Sequence, residues 1–353
     1  MLSKVLGDVP RCLTYVDDII IHGSTLEEHN DTLREVLRRL EKAQLMVKPS
    51  KVALCKTSVP FLRFTIDRSG VRVDTSKVDA ILKSKPPTTV KETRRFLGCA
   101  SFFRNFIPDF ARIARPLHAF TKKDTPFVWN QNAADAFEIL RQRLTEAPIL
   151  RYPRPNLPYS LFCDASKVGI AGSLMQTFED GLHPIMYMSR ALNKAESNWT
   201  ITELELLAII FSVKKCRYFL AGVHFTVYSD HASLSSLLKI SDSSNPRLVR
   251  QLLYLNTFDF TVIYKPGAQN YVADMISRLP DYNISQTKGS LENSNDLLDP
   301  EKELEYIRKL IARAKPQEIY SSRAVYSIQG DLEPILDINL LKTDQQKDPF
   351  VSA

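Results

Sequence analysis

Residues 159–176 read YSLFCDASKVGIAGSLMQ. Two runs of β-prone and small residues, 159–163 and 170–176, flank the turn-forming Asp164-Ala165-Ser166, and a third run follows at 183–188. Three successive strands with one acid at the end of the first are the pattern that decides the fold. Downstream the spacing changes. A long helix is expected over 202–219, a strand over 223–228, helices over 231–239, 246–256 and 270–278, and a strand over 259–264. Three strands followed by alternating helices and strands predict one mixed sheet in an α/β fold.

Four carboxylates occupy informative places in that pattern. Asp164 ends the first strand, Glu205 lies early in the long helix, Asp230 ends a later strand, and Asp274 opens the last helix. Each has an ordinary explanation. Asp164 can shape a turn, Glu205 can complete a capping box with Thr202, Asp230 can cap a helix, and Asp274 can favour a helix N-terminus. Taken together they are harder to dismiss. Strand ends of an α/β sheet share one edge, where ligands bind. Carboxylates gathered there repel one another unless cations neutralise them. Hard oxygen donors select Mg²⁺ or Mn²⁺, and two such ions can clamp a phosphodiester substitution.

The stretches LFCDASKVGIAGSLMQ, MSRALNKAESNW, ELELLAIIFSVKKCRYFLAG, FTVYSDHASL and YKPGAQNYVADMISR, in this order within 159–280, resemble the ribonuclease H domain of gypsy-type (Metaviridae) long-terminal-repeat retrotransposons. The acids are separated by 41, 25 and 44 positions. The resemblance implies that Asp164, Glu205, Asp230 and Asp274 are the catalytic and metal-binding set. It also implies two Mg²⁺ or Mn²⁺ ions and hydrolysis of the RNA strand of an RNA–DNA hybrid, leaving a 5′-phosphate and a 3′-hydroxyl. In that family Asp164 would bridge both ions, Glu205 and Asp230 would hold one, and Asp274 the other. Glu203 is the rival to Glu205. Two positions along a helix are about 200° apart, so only one of them faces the site. The Glu-Leu-Leu-Ala run matches the family at Glu205. His231 is taken as structural.

The first half resembles the same retroelements' reverse transcriptase, from the end of the palm through the thumb. Tyr15-Val16-Asp17-Asp18 is similar to the YxDD hairpin, and CLTYVDDIIIH over 12–22 reads as two strands around an Asp-Asp turn. EEHNDTLREVLRRLEKAQLMVKPSK contains an amphipathic helix over 26–45. A hairpin around Phe61-Leu62 belongs to the resemblance, and alternation over 60–74 suggests a hairpin around Ser69-Gly70. TVKETRRFLGCASFFRNFIPDF opens with capping-box spacing at Thr89 and Glu92 and reads as a helix to Pro108, followed by an Arg/Lys-rich turn. RPLHAF, FVW and APIL follow. Arg63 stands where the family has glycine, which removes backbone freedom there.

A polymerase of this family needs a third carboxylate on an earlier strand. Sixteen residues precede Asp17, and the only acid among them is Asp8. Asp17 and Asp18 are therefore read as a polymerase relic in an N-terminally truncated Pol product without polymerase activity. The expected organisation is a palm end over 1–84, a thumb-like helical region over 85–155, a ribonuclease H-like domain over 156–280, and a linker over 281–353. That last segment ends in DQQKDPFVSA, similar to the run ahead of a retroelement integrase. Other Pol domains, a protease and an integrase, are the partners expected in a parent polyprotein. A non-catalytic nucleic-acid-binding remnant, or an inert one, is the alternative.

Composition is compatible with this. Of the 353 residues 44% are hydrophobic and 25% charged, which excludes collagen-like and wholly disordered chains. No apolar run reaches the ~18 residues of a membrane span, and no signal peptide is read in MLSKVLGDVPRC. An intracellular location, cytoplasmic or nuclear and away from membranes, is expected. Cys12, Cys55, Cys99, Cys163 and Cys216 are never closer than 43 positions, so no CxxC zinc pair exists. Net charge is +7, and residues 81–125 alone hold ten basic and three acidic side chains. A basic segment of this kind suits phosphate contacts with a hybrid. Arg94, Arg95, Arg104, Arg112 and Arg115 are the candidate nucleic-acid-binding residues.

Overall fold

The computed structural model describes residues 2–122, 125–231, 246–265 and 324–328. The chain divides into two compact units, one of Met1–Asp74 with Glu305–Ala353, the other of Thr75–Leu304. Both mix helices with sheets, and the fold is α/β.

In the first unit helix α1 (Leu2–Leu6) precedes strands β1 (Cys12–Tyr15) and β2 (Asp18–Gly23). These form an antiparallel hairpin in which Tyr15 faces Asp18. Its two-residue turn is thus Val16-Asp17 rather than an Asp-Asp turn. Helix α2 (Leu26–Lys42) starts at Thr25, whose hydroxyl accepts the Glu28 N–H at 3.2 Å. It buries Leu33, Val36 and Leu40 with Ile19 and Ile21 of β2, as its apolar spacing dictates.

Strand β3 (Val52–Lys56) leads into an antiparallel meander of β4 (Ser58–Phe61), β5 (Phe64–Asp67) and β6 (Gly70–Val73). The hairpin expected at Ser69-Gly70 is the second of two. The first turns at Leu62-Arg63, both at positive φ (48° and 67°). That backbone is what a tight two-residue hairpin demands and what glycine adopts without strain. The strand at Ala324–Ile328, β12 in chain order, pairs antiparallel with both β2 and β3.

The second unit opens with helices α3 (Thr75–Leu82), α4 (Val90–Phe102), α5 (Phe110–Ala119) and α6 (Gln131–Thr145). Thr89 caps α4 by accepting the Glu92 N–H at 3.2 Å, while the Glu92 carboxylate accepts from the Thr88 N–H at 2.7 Å. Helix α4 ends at Phe102, before the expected Pro108. A 3-10 turn over Arg104–Phe106 and a left-handed Asp109 (φ 49°) redirect the chain into α5. Arg112 and Arg115 are therefore helical rather than turn residues. Prolines at 108 and 116 suggest a break, but buried Phe110, Ile113, Ala114 and Leu117 supply the packing that holds this helix, with Pro116 inside it.

Five strands form the main sheet. They are β7 (Tyr159–Ala165), β8 (Gly169–Phe178), β9 (Gly181–Ala191), β10 (Phe225–Ser229) and β11 (Phe260–Tyr264), in the order β11-β10-β7-β8-β9. The first three form an antiparallel meander, while β10 runs parallel to both β7 and β11. Helices α7 (Ile201–Lys215) and α8 (Arg217–Leu220) connect β9 to β10, and α9 (Pro246–Leu255) precedes β11. Helix α7 is apolar nearly all round and is buried accordingly, with Leu204, Leu206, Ala208, Ile209 and Val213 in the core. It lies so close to β8 that a Cβ on Gly172 would sit 2.1 Å from the Ser212 hydroxyl.

The expected boundary at 84/85 lies instead at Asp74/Thr75, and that at 155/156 separates no compact units. The reason is packing. Arg141 of α6 donates to the Leu82 carbonyl at the end of α3, and the start of α5 is hydrogen-bonded to β9. The helix expected at 270–278, and that at 231–239 beyond His231, lie outside the described residues.

Candidate active site

Strands β7 and β10 carry the first two acids. They are parallel neighbours paired Phe162 to Tyr228. Continuing that register brings Asp230, just past β10, beside Asp164 near the end of β7. Adjacent strands lie about 4.8 Å apart. Behind the acids, on the same sheet face, the Phe162 and Tyr228 rings stack at 4.7 Å with the Lys265 ammonium 5.8 and 5.7 Å from their centroids.

Glu205 arrives from α7. Thr200 caps this helix in a reciprocal box with Glu203, whose carboxylate accepts the Thr200 N–H at 2.9 Å. The box is therefore Thr200–Glu203 and not Thr202–Glu205. Glu203 is spent on the helix start, whereas Glu205 is 3% exposed in an otherwise apolar helix. Ser229 donates to Glu205 at 3.5 Å, the long limit for a hydrogen bond. Thr202 and His231 meet through Oγ1 and Nε2 at 2.8 Å, tying α7 to the residue after Asp230.

Burial dominates the electrostatics. Desolvation, then the charges of Asp164 and Asp230, push the Glu205 carboxyl up to about 8. Desolvation pushes Asp164 up to about 6, with Arg112 opposing and Asp230 adding to the rise. Carboxyls that resist ionising beside one another favour a compensating cation, and their all-oxygen chemistry suits Mg²⁺ or Mn²⁺. Among the described residues no three His, Cys, Asp or Glu side chains stand close enough to ligate one ion together. Asp164, Glu205 and Asp230 therefore make an electrostatic cluster rather than a closed ligand shell. Asp274 lies outside the described residues.

The basic candidates separate by use. Arg94 and Arg95 are exposed on α4, and Arg94 donates to the Thr121 carbonyl at 2.9 Å. Arg104 donates to the Ser189 carbonyl of β9 at 2.6 Å and lies 5.6 Å from the Phe110 ring centroid. Arg112 pairs with Asp109 at 2.5 Å, and Arg115 is half-buried. Three of the five thus have partners inside the fold, Arg94 at an exposed position and Arg104 and Arg112 half-buried. In the first unit, Asp17 is exposed at the hairpin tip. Half-buried Asp18 has its carboxyl raised by desolvation and by Asp17, against the pull of Lys51.

Sequence reasoning missed Asp109. It is 5% exposed, with its carboxyl pushed up to about 7 by burial although Arg112 pulls it down. A lone Asp after proline gives no signal of this. Ser229 and the Phe162–Tyr228 stack were legible only as alternating strand residues.

Residues 1–99 match the family model of reverse transcriptase (RNA-dependent DNA polymerase), and residues 129–227 match that of the RNase H-like domain found in reverse transcriptase. The retrovirus-related Pol polyprotein from transposon opus of Drosophila melanogaster is 37% identical over 292 residues, covering 79% of this chain and 29% of that protein. The transposon Tf2-3 polyprotein of Schizosaccharomyces pombe is 32% identical over 299 residues, covering 83% of this chain and 22% of that protein. The chain thus spans less than a third of these relatives. Among solved structures, the foamy viral protease-reverse transcriptase in complex with RNA/DNA hybrid is 26% identical with a TM-score of 0.63, over 84% of this chain and 40% of that one. Its dRH form in complex with double-stranded DNA gives 0.64 at 26% identity, over 80% and 48%. The chain carries the reverse-transcriptase and RNase H-like regions of reverse transcriptases, and its relatives are retrotransposon Pol polyproteins.

Proposed function

We propose that the second unit hydrolyses the RNA strand of an RNA–DNA hybrid with the help of Mg²⁺ or Mn²⁺. The observation that carries this is the meeting of Asp164, Glu205 and Asp230, from two parallel strands and a buried helix, at one edge of the main sheet. A carboxylate buried at 3% exposure in an apolar helix costs stability unless a charged ligand repays it. A hybrid-bound solved relative supports the choice of substrate.

Asp164, Glu205 and Asp230 would supply the negative field that attracts the cation, with Asp274 the family's fourth ligand. Bound there, it would neutralise the clustered charge and lower the pKa of the attacking water. The protein's own part is orientation. The β7–β10 register sets Asp164 beside Asp230, the Ser229 hydroxyl meets Glu205, and Thr202 with His231 ties α7 to the residue after Asp230. The test is cleavage of a labelled hybrid with Mg²⁺, with chelator, and with Asp164→Asn. Chelator and substitution should each abolish cutting by orders of magnitude. Undiminished cutting by Asp164→Asn would overturn the assignment.

A further inference from the structure

The paired rows Asp164–Ala171 and Ala171–Ser189 run straight across β7, β8 and β9. Residues directly opposite in a sheet point to the same face. Asp164, the small buried Ala171 and Ser189 therefore line one row on one face, about 10 Å end to end. Helix α5 begins on that row, where the Ala111 N–H donates to the Ser189 hydroxyl at 3.0 Å in a buried bond. One turn around this anchor lie Asp109, held at φ 49°, and Arg112, its ion-pair partner at 2.5 Å. Asp109 is nearly buried, and Arg112 keeps about a quarter of its side chain exposed. The pair flanks the α5 anchor on Ser189, on the row whose other end is Asp164. The Arg112 charge favours the Asp164 carboxylate, and Asp164 in turn raises the carboxyl of Asp109.

We infer that Asp109 and Arg112 are positioning residues of the nuclease site, in which the Arg112 guanidinium competes with the divalent cation for the charge of Asp164 and Asp109 holds that guanidinium back. This makes the helical region before the sheet part of the site. It rests on the reading of Asp164 as a cation ligand, and it adds a sign that reading lacks. Removing the arginine's charge should tighten cation binding. Removing the aspartate's charge should let more of the Arg112 charge act on Asp164 and weaken it. A contact that only stabilises the fold would weaken binding in both cases.

The experiment is Mn²⁺ binding to the full chain at pH 8, followed calorimetrically, with thermal melting to verify folding. Coulomb's law for one charge several ångströms away, at a dielectric between protein surface and water, gives a change of roughly three- to thirtyfold in Kd. Arg112→Gln should lower the Kd by such a factor, and Asp109→Asn should raise it. Arg112→Lys, which keeps the charge, should stay near the parent value. The Asp109→Asn, Arg112→Gln double variant should fall between the single ones. Folded variants that both weaken binding, or both leave it unchanged, would overturn the inference while leaving the cation site intact. A parent chain that binds no Mn²⁺, or binds it equally well as Asp164→Asn, would overturn the site reading and this inference with it.

Discussion

Thr202 Oγ1 and His231 Nε2 meet at 2.8 Å, so the helix that carries Glu205 is tied to the residue directly after Asp230. Glu205 is thereby held beside the strand acids, whose charges raise its carboxyl beyond what burial alone achieves.

The first consequence is a pH dependence of the metal-free protein. The Glu205 carboxyl rises from an ordinary 4.5 to about 8, and that of Asp164 from 3.8 to about 6. Above pH ~4 the unfolded chain therefore loses protons that the folded chain keeps, and stability falls with rising pH. The decline should run to about pH 8 and then level off, totalling a few kcal/mol at most. Melting in chelator between pH 5 and 8.5 checks this. Glu205→Gln should remove most of the slope, and added Mg²⁺ should restore stability at the alkaline end.

Glu203 and Glu205 should respond oppositely to amidation. Glu205→Gln removes a charge from the cluster and should abolish hybrid cleavage. Glu203→Gln weakens only the capping box with Thr200, costing about 0.5–1 kcal/mol in melting and leaving cleavage largely intact. The reverse pattern of activities would show that the helix register has been misassigned.

Two glycines make a matched pair. A Cβ at Gly172 would meet Ser212 Oγ at 2.1 Å and Ser212 Cβ at 2.9 Å, on a buried helix. Gly172→Ala should push α7 away from β8 and cost about 1–3 kcal/mol, with loss of cleavage because Glu205 moves with the helix. At Gly98, on the exposed side of α4, an added Cβ meets nothing within 4 Å. Gly98→Ala should stabilise the protein by roughly 1 kcal/mol, the helix-propensity difference. Denaturant midpoints of the two variants should move in opposite directions.

Much of this was legible in residue order, because the strands of the main sheet alternate or run apolar and their turns are marked by small residues. Asp164, Glu205 and Asp230 each stand at the end of a strand or in an apolar helix, where a charge conflicts with its surroundings. Helix α5 was not legible. Pro108 and Pro116 read as breaks, and only the burial of Phe110, Ile113 and Leu117 against the rest of the unit makes the segment helical. The Leu62-Arg63 turn was legible only through the resemblance, since neither residue favours the positive φ that the pairing of Phe61 with Phe64 imposes. The roles of Arg104 and Arg112 escaped for a related reason. Local charge density does not tell a phosphate contact from a strut, and their partners, Ser189 and Asp109, are decided by tertiary packing.

That distinction gives the last prediction. Arg94 and Arg95 are exposed on α4, with Phe96, Leu97 and Ala100 burying its other face. As backbone contacts of a hybrid they carry no base information, so binding should be indifferent to sequence. Each neutralised phosphate adds roughly 0.7–0.9 to the dependence of log K on log salt. The Arg94→Ala, Arg95→Ala pair should flatten that slope by about 1.5 and weaken binding most at low salt, leaving turnover at saturating hybrid nearly unchanged. Arg104→Ala should behave differently. It loses a charge-assisted bond to the Ser189 carbonyl and a contact with the Phe110 ring, so it should cost about 1.5–3 kcal/mol of stability and leave the salt slope alone. Hybrid affinity measured between low and moderate salt separates the two classes. A slope unchanged by the Arg94, Arg95 pair would mean that the sheet domain binds the hybrid without α4. A slope lowered by Arg104→Ala in a protein of unchanged melting temperature would mean that its guanidinium leaves Ser189 to meet phosphate.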